Sequence, residues 1–98
     1  MIDWNSFNSF QWDKGNIDKN YKKHQISSSQ SEEAFLDEKA IALEDIHHSQ
    51  KEKRYILIGK TFEGTLLFIV FTVRTKKIRI ISARKANKKE KNKYVQKI

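Results

Sequence analysis

The chain has 98 residues, of which 38% are hydrophobic and 33% charged, so residues 1–98 have room for a single small domain. The absence of cysteine excludes disulfides, thiolate metal sites and cysteine nucleophiles. No apolar run approaches the roughly 18–20 residues that cross a bilayer, and the first ten residues lack the basic start and apolar stretch of a signal peptide. We therefore expect a cytoplasmic protein with no membrane partner.

The net charge of +8 is distributed unevenly along the chain. Residues 1–50 hold five basic and nine acidic residues, a net charge of −4, whereas residues 51–98 hold fifteen and three, a net charge of +12. Such asymmetry indicates that the C-terminal half meets a polyanion, most simply nucleic acid. The alternative is a solvated, lysine-rich tail that only aids solubility.

The N-terminal half predicts one short strand and two helices. After an irregular segment over residues 1–9, the alternation of residues 9–12 indicates a strand, and an apolar stripe indicates a helix over residues 14–24. Ser27 and Gln30 form a capping-box pattern that starts a second helix ending near Leu36.

The C-terminal half changes to a period of two residues, which is typical of strands. Glu63-Gly64 suits a hairpin turn, and the stretch from Leu66 to Val73 is apolar on both faces, as a central strand requires. From Ala83 onward the residues favour a helix that Ser82 could cap. The predicted strands cover residues 39–43, 54–61, 65–74 and 78–82, and the helix covers residues 83–95. The fold class is therefore α+β, an antiparallel sheet with two N-terminal helices and a basic C-terminal helix.

Common catalytic and cofactor motifs are missing from the sequence. There is no glycine-rich phosphate loop and no H-E-x-x-H pattern, and the adjacent His47 and His48 cannot easily chelate one ion. We therefore expect neither a metal nor a cofactor.

Polar residues at the predicted strand ends are the remaining candidates for a site. Glu52 and Arg54 are two residues apart, so they share a face if strand pairing begins there, and Thr72 and Arg74 are likewise two apart at the end of the central strand. All four arginines lie in this half, although lysines outnumber them sixteen to four, and the last two are Arg79 and Arg84. A rigid fork of donors is what phosphate recognition requires, and lysine does not reproduce it.

A structural interpretation of the same residues stays open. Arg54 and Arg74 could cap strand ends or form surface ion pairs with Glu52 and Glu63. Convergence of Glu52, Arg54 and Arg74 in one basic cleft would favour a catalytic site over a non-catalytic basic binding module.

The chain resembles the BrnT family of bacterial toxins, the ribonuclease components of type II toxin–antitoxin pairs with a RelE-like fold. The strongest block of matching residues is Arg79-Ile80-Ile81-Ser82-Ala83-Arg84-Lys85-Ala86, followed by Glu90 and Tyr94. The other matches run in order along residues 10–74: Phe10, Trp12, Asp13, Asn20, Lys23, His24, Phe35, Asp37, His48-Ser49, Glu52, Arg54, Ile58-Gly59, Leu66-Leu67, Thr72 and Arg74.

The resemblance implies RNA cleavage without metal. The residue types indicate which side chains could act as base, as acid and as phosphate ligands. Glu52 is the candidate base for the ribose 2′-OH, and His24 or His48 is the alternative base or acid. Arg54, Arg74 and Arg84 would hold the scissile phosphate. The candidates for binding the rest of the substrate are Thr72, Arg79, Lys85, Lys88 and Lys89.

The resemblance also implies partners, and two other functions stay open. The expected partners are an antitoxin of the ribbon–helix–helix type, the RNA substrate and operator DNA reached through the antitoxin. One alternative is a non-catalytic nucleic-acid-binding or co-repressor module. A plain single-strand RNA-binding domain fits less well, because Phe62, Phe68 and Phe71 occupy positions predicted to lie mainly in the core.

Overall fold

The structure is a computed structural model that describes residues 9–11, 25–45 and 52–96. The predicted helix over residues 14–24 and the histidines His24, His47 and His48 lie outside these ranges. The described elements are β1 (Ser9–Gln11), α1 (Ser28–Phe35), β2 (Ile41–Glu44), β3 (Tyr55–Lys60), β4 (Leu66–Arg74), β5 (Lys77–Lys85) and α2 (Lys88–Gln96).

One five-stranded sheet, in the order β1-β5-β4-β3-β2, organises the described residues. Strands β2 to β5 form an antiparallel meander, and the prediction that Leu66 to Val73 lie in the central strand is confirmed. The prediction of a wholly antiparallel sheet is wrong at one edge. There β1 pairs in parallel with the start of β5, with Phe10 against Ile78, and so covers that edge.

Helix α1 covers the first face of the sheet. It begins at the predicted capping box, in which Ser27 and Gln30 exchange side-chain and backbone hydrogen bonds of 2.9 and 3.1 Å. Ala34 and Phe35 point inward, against a core of Leu57, Leu67, Ile69, Phe71 and Ile80. The backbones come so close that a Cβ at position 59 would collide with the Ala34 carbonyl, which explains Gly59.

Helix α2 covers only one end of the second face. Its buried Tyr94 packs against Ile41 and Ile58, and the Tyr94 hydroxyl donates a hydrogen bond of 2.7 Å to Asp37. Burial and the Asp37 charge together raise the pKa of Tyr94 to about 12. The helix is therefore fixed near the β3–β4 hairpin, and the other end of this face lies outside its reach.

The boundary between β5 and α2 differs from the prediction. The strand continues to Lys85, the helix starts at Lys88, and Asn87 rather than Ser82 caps it, exchanging hydrogen bonds with Glu90. Ala83 is fully buried in the sheet opposite Ile69, so pairing with β4 overrides its helix propensity.

The two hairpins of the meander use different turn chemistry. Gly64 has a φ of 95° in the predicted β3–β4 turn. In the β4–β5 turn, Thr75 and Lys76 both have positive φ, as a two-residue turn of this kind requires. Phe62, predicted to lie in the core, is 75% exposed because it belongs to the hairpin loop rather than to a strand.

Candidate functional site

Strand register brings three predicted site residues into one row across the open end of the second face. Thr72 on β4 pairs with Arg79 on β5. Continuing the β3–β4 register one residue beyond the Tyr55–Phe71 pair sets Arg54 opposite Thr72. Neighbours in such a row are about 5 Å apart. We call Arg54, Thr72 and Arg79 the arginine row.

Glu52 and Arg74 form the next row of the same face. The Arg74 Nε and Nη2 donate hydrogen bonds of 2.9 and 2.8 Å to the two carboxylate oxygens of Glu52. These bonds, helped by the neighbouring charges of Arg74 and Arg79, lower the pKa of the Glu52 carboxyl, and the Glu52 carboxylate in turn raises the pKa of Arg74. Both side chains are more than a third exposed, so the pair contributes little to stability.

Glu52 therefore pairs with Arg74 rather than with the sequence-adjacent Arg54. Glu52 lies three residues before β3 begins at Tyr55, and from there its carboxylate reaches the guanidinium of Arg74 at the end of β4. Glu63, the other acid considered as a partner, lies in the hairpin at the opposite end of β4. Glu52, Arg54 and Arg74 thus lie on one face of the sheet.

Thr72 lies at the centre of the arginine row and has an unusual environment. The residue is 1% exposed, yet its hydroxyl makes no hydrogen bond of acceptable geometry with the described residues. Its proximity to Glu52 contributes to the lowered pKa of that carboxyl. A buried hydroxyl without a partner carries a free-energy cost that a bound ligand atom could remove.

An open groove of about 340 Å³ adjoins the arginine row. A β-bulge between Val70 and the facing residues of β5 leaves Ile81 outside the pairing register. Ile81 and Ser82 consequently line the groove together, although successive strand residues normally face opposite sides. The full lining is Asp45, Arg54, Ile56, Phe68, Val70, Ile81 and Ser82.

Arg84 is on the same face but belongs to a different environment. It donates two hydrogen bonds of 2.8 Å to Glu90, and its guanidinium lies 4.1 Å from the centre of the Phe68 ring. Burial opposes ionisation of Glu90, but the hydrogen bonds from Arg84 and Asn87 outweigh it and lower the pKa of Glu90. The cross-strand partner of Arg84 is Phe68, which is four residues from Thr72, about 13 Å along β4. The structure therefore separates Arg84 from the other three arginines.

The predicted lysines lie beyond the groove and are exposed. Lys85 follows Arg84 in β5 and so points to the opposite face, while Lys88 and Lys89 occupy the first turn of α2. His24 is outside the described residues.

Sequence reasoning missed Asp45 and the bulge at Ile81. The Asp45 backbone N–H donates a 2.8 Å hydrogen bond to the Arg54 carbonyl, which places Asp45 beside the arginine row at the end of β2. The alternation of Ile41, Leu43 and Asp45 was the available signal, since it places all three on one face. No sequence signal specified the bulge.

The described residues contain neither a membrane-spanning helix nor a cluster of metal ligands. Within residues 9–11, 25–45 and 52–96, no helix has both the length and the apolar character to span a bilayer. Over the same part of the chain, no group of three His, Asp or Glu side chains could hold a metal ion.

Comparisons with known proteins agree on one family. Residues 12–90 match the family described as the ribonuclease toxin, BrnT, of type II toxin–antitoxin systems. The crystal structure of the Brucella abortus ribonuclease toxin BrnT matches with a TM-score of 0.63 at 22% sequence identity, covering 82% of this chain and 97% of that one. At that identity the match shows a shared fold. A comparison with curated proteins found no match.

Proposed function

Since this chain belongs to the BrnT family of ribonuclease toxins of type II toxin–antitoxin systems, we propose that it is an endoribonuclease whose cleavage of RNA inhibits translation and growth. The observation that carries the proposal is the arginine row around the buried Thr72, next to the Glu52–Arg74 pair. Three guanidinium groups and a hydroxyl on one open face form a site suited to a phosphodiester.

The scissile phosphate lies over Thr72 in the proposed complex. Arg54 and Arg79 flank it from the two neighbouring strands, and the Thr72 hydroxyl donates a hydrogen bond to one phosphate oxygen. These groups stabilise the charge that develops on the pentacovalent phosphorus; Thr72 and Arg79 are held in strands, and Arg54 directly precedes β3.

Glu52 is the proposed base. At rest its two carboxylate oxygens are engaged by Arg74, which keeps its pKa low and makes it a weak base. A phosphate that draws Arg74 towards itself weakens this pair and raises the pKa of Glu52 again. Glu52 then accepts the proton of the 2′-OH, the 2′-oxygen attacks phosphorus, and the 5′-oxygen leaves with a proton from a general acid. His24 is the alternative candidate for either proton transfer.

The remaining basic residues supply affinity. Lys88 and Lys89 on α2 carry positive charge beyond the groove and contact the RNA backbone without reading its sequence, whereas Lys85 points to the opposite face. Arg84 keeps α2 attached through Glu90 and acts on the phosphate only indirectly.

The proposed regulator is a cytoplasmic antitoxin of the ribbon–helix–helix type, which also brings the toxin to operator DNA. A C-terminal half with a net charge of +12 attracts RNA without selectivity unless acidic residues of the antitoxin cover it.

Cleavage assays with and without the antitoxin test this function. The free protein should cleave RNA in the presence of a chelator, because the arginines rather than a metal ion stabilise the transition state, and the complex should not. If the complex cleaves and binds RNA as well as the free protein does, the antitoxin does not cover the basic surface. A free protein that binds RNA and operator DNA but never cleaves would favour the co-repressor function.

A further inference from the structure

The hairpin between β4 and β5 carries positive charge beyond that of the arginine row. Arg74, Lys76 and Lys77 are three cations within four residues, and all three are exposed. Glu52 pairs with Arg74, but among the described residues neither Lys76 nor Lys77 forms an ion pair. Two of these three charges are therefore balanced by solvent ions or by a ligand.

Strand register places two of these cations directly opposite each other. Arg74 on β4 pairs with Lys77 on β5, so their side chains share the second face, with Cβ atoms about 5 Å apart. Like charges in such a cross-strand pair destabilise a sheet, and Glu52 offsets the repulsion from the Arg74 side only. An anion held between the two side chains would remove this cost. We call Arg74 and Lys77 the cation pair.

The turn that joins the cation pair is strained. Thr75 has a φ of 51° and Lys76 a φ of 60°. Glycine and asparagine tolerate this left-handed region, whereas a β-branched residue such as threonine rarely adopts it. An Asn-Gly sequence is the common, unstrained choice for a two-residue hairpin. The protein instead has a hydroxyl and an ammonium group at the tip, and strain of this kind is concentrated at functional sites.

The cation pair lies one step along the sheet from the arginine row. Arg74 is two residues beyond Thr72 on β4, so the two rows of side chains are about 7 Å apart on the same face. On β5, Lys77 has the same spacing from Arg79. Consecutive phosphates of an extended RNA strand have a comparable separation. A strand whose scissile phosphate lies on the arginine row can therefore place its next phosphate on the cation pair.

We propose that the cation pair, together with Lys76 in the turn, binds the RNA phosphate next to the scissile one. The inference rests on the proposed ribonuclease function and adds to it a substrate with at least two consecutive phosphates. Continuity with the proposed scissile-phosphate site favours an RNA strand over an acidic protein segment as the ligand.

Oligonucleotides that cannot be cleaved test the site without catalysis. A 2′-O-methyl dinucleotide has one internucleotide phosphate, and the trinucleotide of the same base has two. Wild type should bind the trinucleotide roughly three- to tenfold more tightly, and Lys77→Ala should lose most of that gain. Lys77→Arg, which keeps the charge, should restore it. An equal gain in wild type and Lys77→Ala would overturn the proposal.

The salt dependence of trinucleotide binding shows whether the lost contact is to a phosphate. Lys77→Ala should reduce the slope of log affinity against log salt by about 0.7, the value for one single-strand phosphate. The matched control is Lys39→Ala, which removes an exposed lysine just before β2, at the other end of the sheet. This control should keep the wild-type slope and gain. An unchanged slope in Lys77→Ala, or an equal reduction in the control, would also overturn the proposal.

The turn allows a test in which stability and binding change in opposite directions. Combining Thr75→Asn with Lys76→Gly gives the unstrained turn, so Tm should rise, whereas trinucleotide affinity should fall because the Lys76 charge is lost. A higher Tm with unchanged trinucleotide affinity would contradict the role of Lys76.

The two proposals fail in different ways. A trinucleotide gain that depends on Lys77, without any RNA cleavage, would refute the ribonuclease function and keep the phosphate site. RNA cleavage by a Lys77→Ala variant that also keeps the full trinucleotide gain would refute the site and keep the ribonuclease. If that variant keeps the gain but no longer co-purifies with the antitoxin, the cation pair contacts the antitoxin and not RNA.

Discussion

Two arginine–glutamate pairs on the second face of the sheet have nearly the same geometry and different surroundings. Arg84 and Glu90 lie where α2 covers the sheet, and the Glu90 side chain is 13% exposed. Arg74 and Glu52 lie at the open end, with side chains 48% and 37% exposed. Bidentate geometry alone therefore does not assign a role to an arginine.

The supporting contacts explain the difference. Glu90 also accepts a hydrogen bond from the Asn87 N–H, and Arg84 stacks on Phe68, so this pair joins β5 to α2. The Glu52–Arg74 pair instead adjoins the buried Thr72 hydroxyl and Arg79. We infer that the covered pair is structural and that the open pair is available to a substrate.

The largest expected effect comes from truncating the open arginines. Arg54→Ala and Arg74→Ala should each abolish growth inhibition in cells, because each removes a charge-assisted contact that strengthens in the transition state. The expected loss is a few kcal/mol, or roughly a hundredfold to a thousandfold in cleavage rate. Folding and antitoxin binding, followed by circular dichroism and co-purification, should stay intact. Full toxicity of both variants would favour the co-repressor function.

Glu52→Gln separates a base from a partner of Arg74. The amide keeps the shape of the side chain and one acceptor but cannot take up a proton. If Glu52 is the base, the variant loses most of its activity; if Glu52 only pairs with Arg74, the variant keeps most of it. The expected result is a fall in kcat with little change in KM.

The pH dependence of the wild-type rate gives an independent check on the same residue. A base acts in its deprotonated form, and the pKa of Glu52 is lowered from its ordinary value of 4.5. The rate should therefore stay level from neutral pH to about pH 5 and fall only in more acidic solution. A rate that halves near pH 6.5, the ordinary pKa of histidine, would assign the base to His24 or His48 instead.

The covered pair should show its effect in stability rather than in chemistry. Arg84→Ala leaves a mostly buried Glu90 carboxylate without its charged partner, which should lower the free energy of unfolding by about 1–3 kcal/mol. Thermal denaturation should show a clear decrease in Tm for Arg84→Ala and almost none for Arg74→Ala. Equal decreases in the two variants would remove the distinction between the pairs.

The smallest effect is expected on the exposed face of α2. Lys88→Ala and Lys93→Ala should each weaken RNA binding only a few-fold. Each should also reduce the slope of log affinity against log salt by about 0.7, the value for one lost single-strand phosphate contact. An unchanged slope in either variant would show that its lysine does not contact RNA.

Much of the sheet could be predicted from the sequence, because local pattern determines it. Two-sided apolar character identified β4 as central, and the capping box fixed the start of α1. The grouping of Glu52, Arg54, Thr72 and Arg74 followed from alternation along two neighbouring strands.

The remaining features depend on pairing between distant residues. Ala83 and Arg84 are good helix formers, and only hydrogen bonding to β4 reveals them as strand residues. The same register decides that Arg84 faces Phe68 and that Ile81 bulges into the groove. The contact of Glu52 with Arg74 likewise joins residues that are distant in sequence. The parallel edge strand β1 joins residues nearly seventy positions apart, which no local pattern specifies.

The most direct measurement is the single-turnover cleavage rate of one RNA by Arg74→Ala and Arg84→Ala, compared with wild type well below the Tm of all three. The two variants lose the same side chain from pairs of nearly the same geometry, so their difference isolates the site. Our account predicts a loss of roughly a hundredfold or more for Arg74→Ala and near-normal cleavage by folded Arg84→Ala. Equal rates for the two variants, or a greater loss in Arg84→Ala, would contradict the assignment of the open face as the catalytic site.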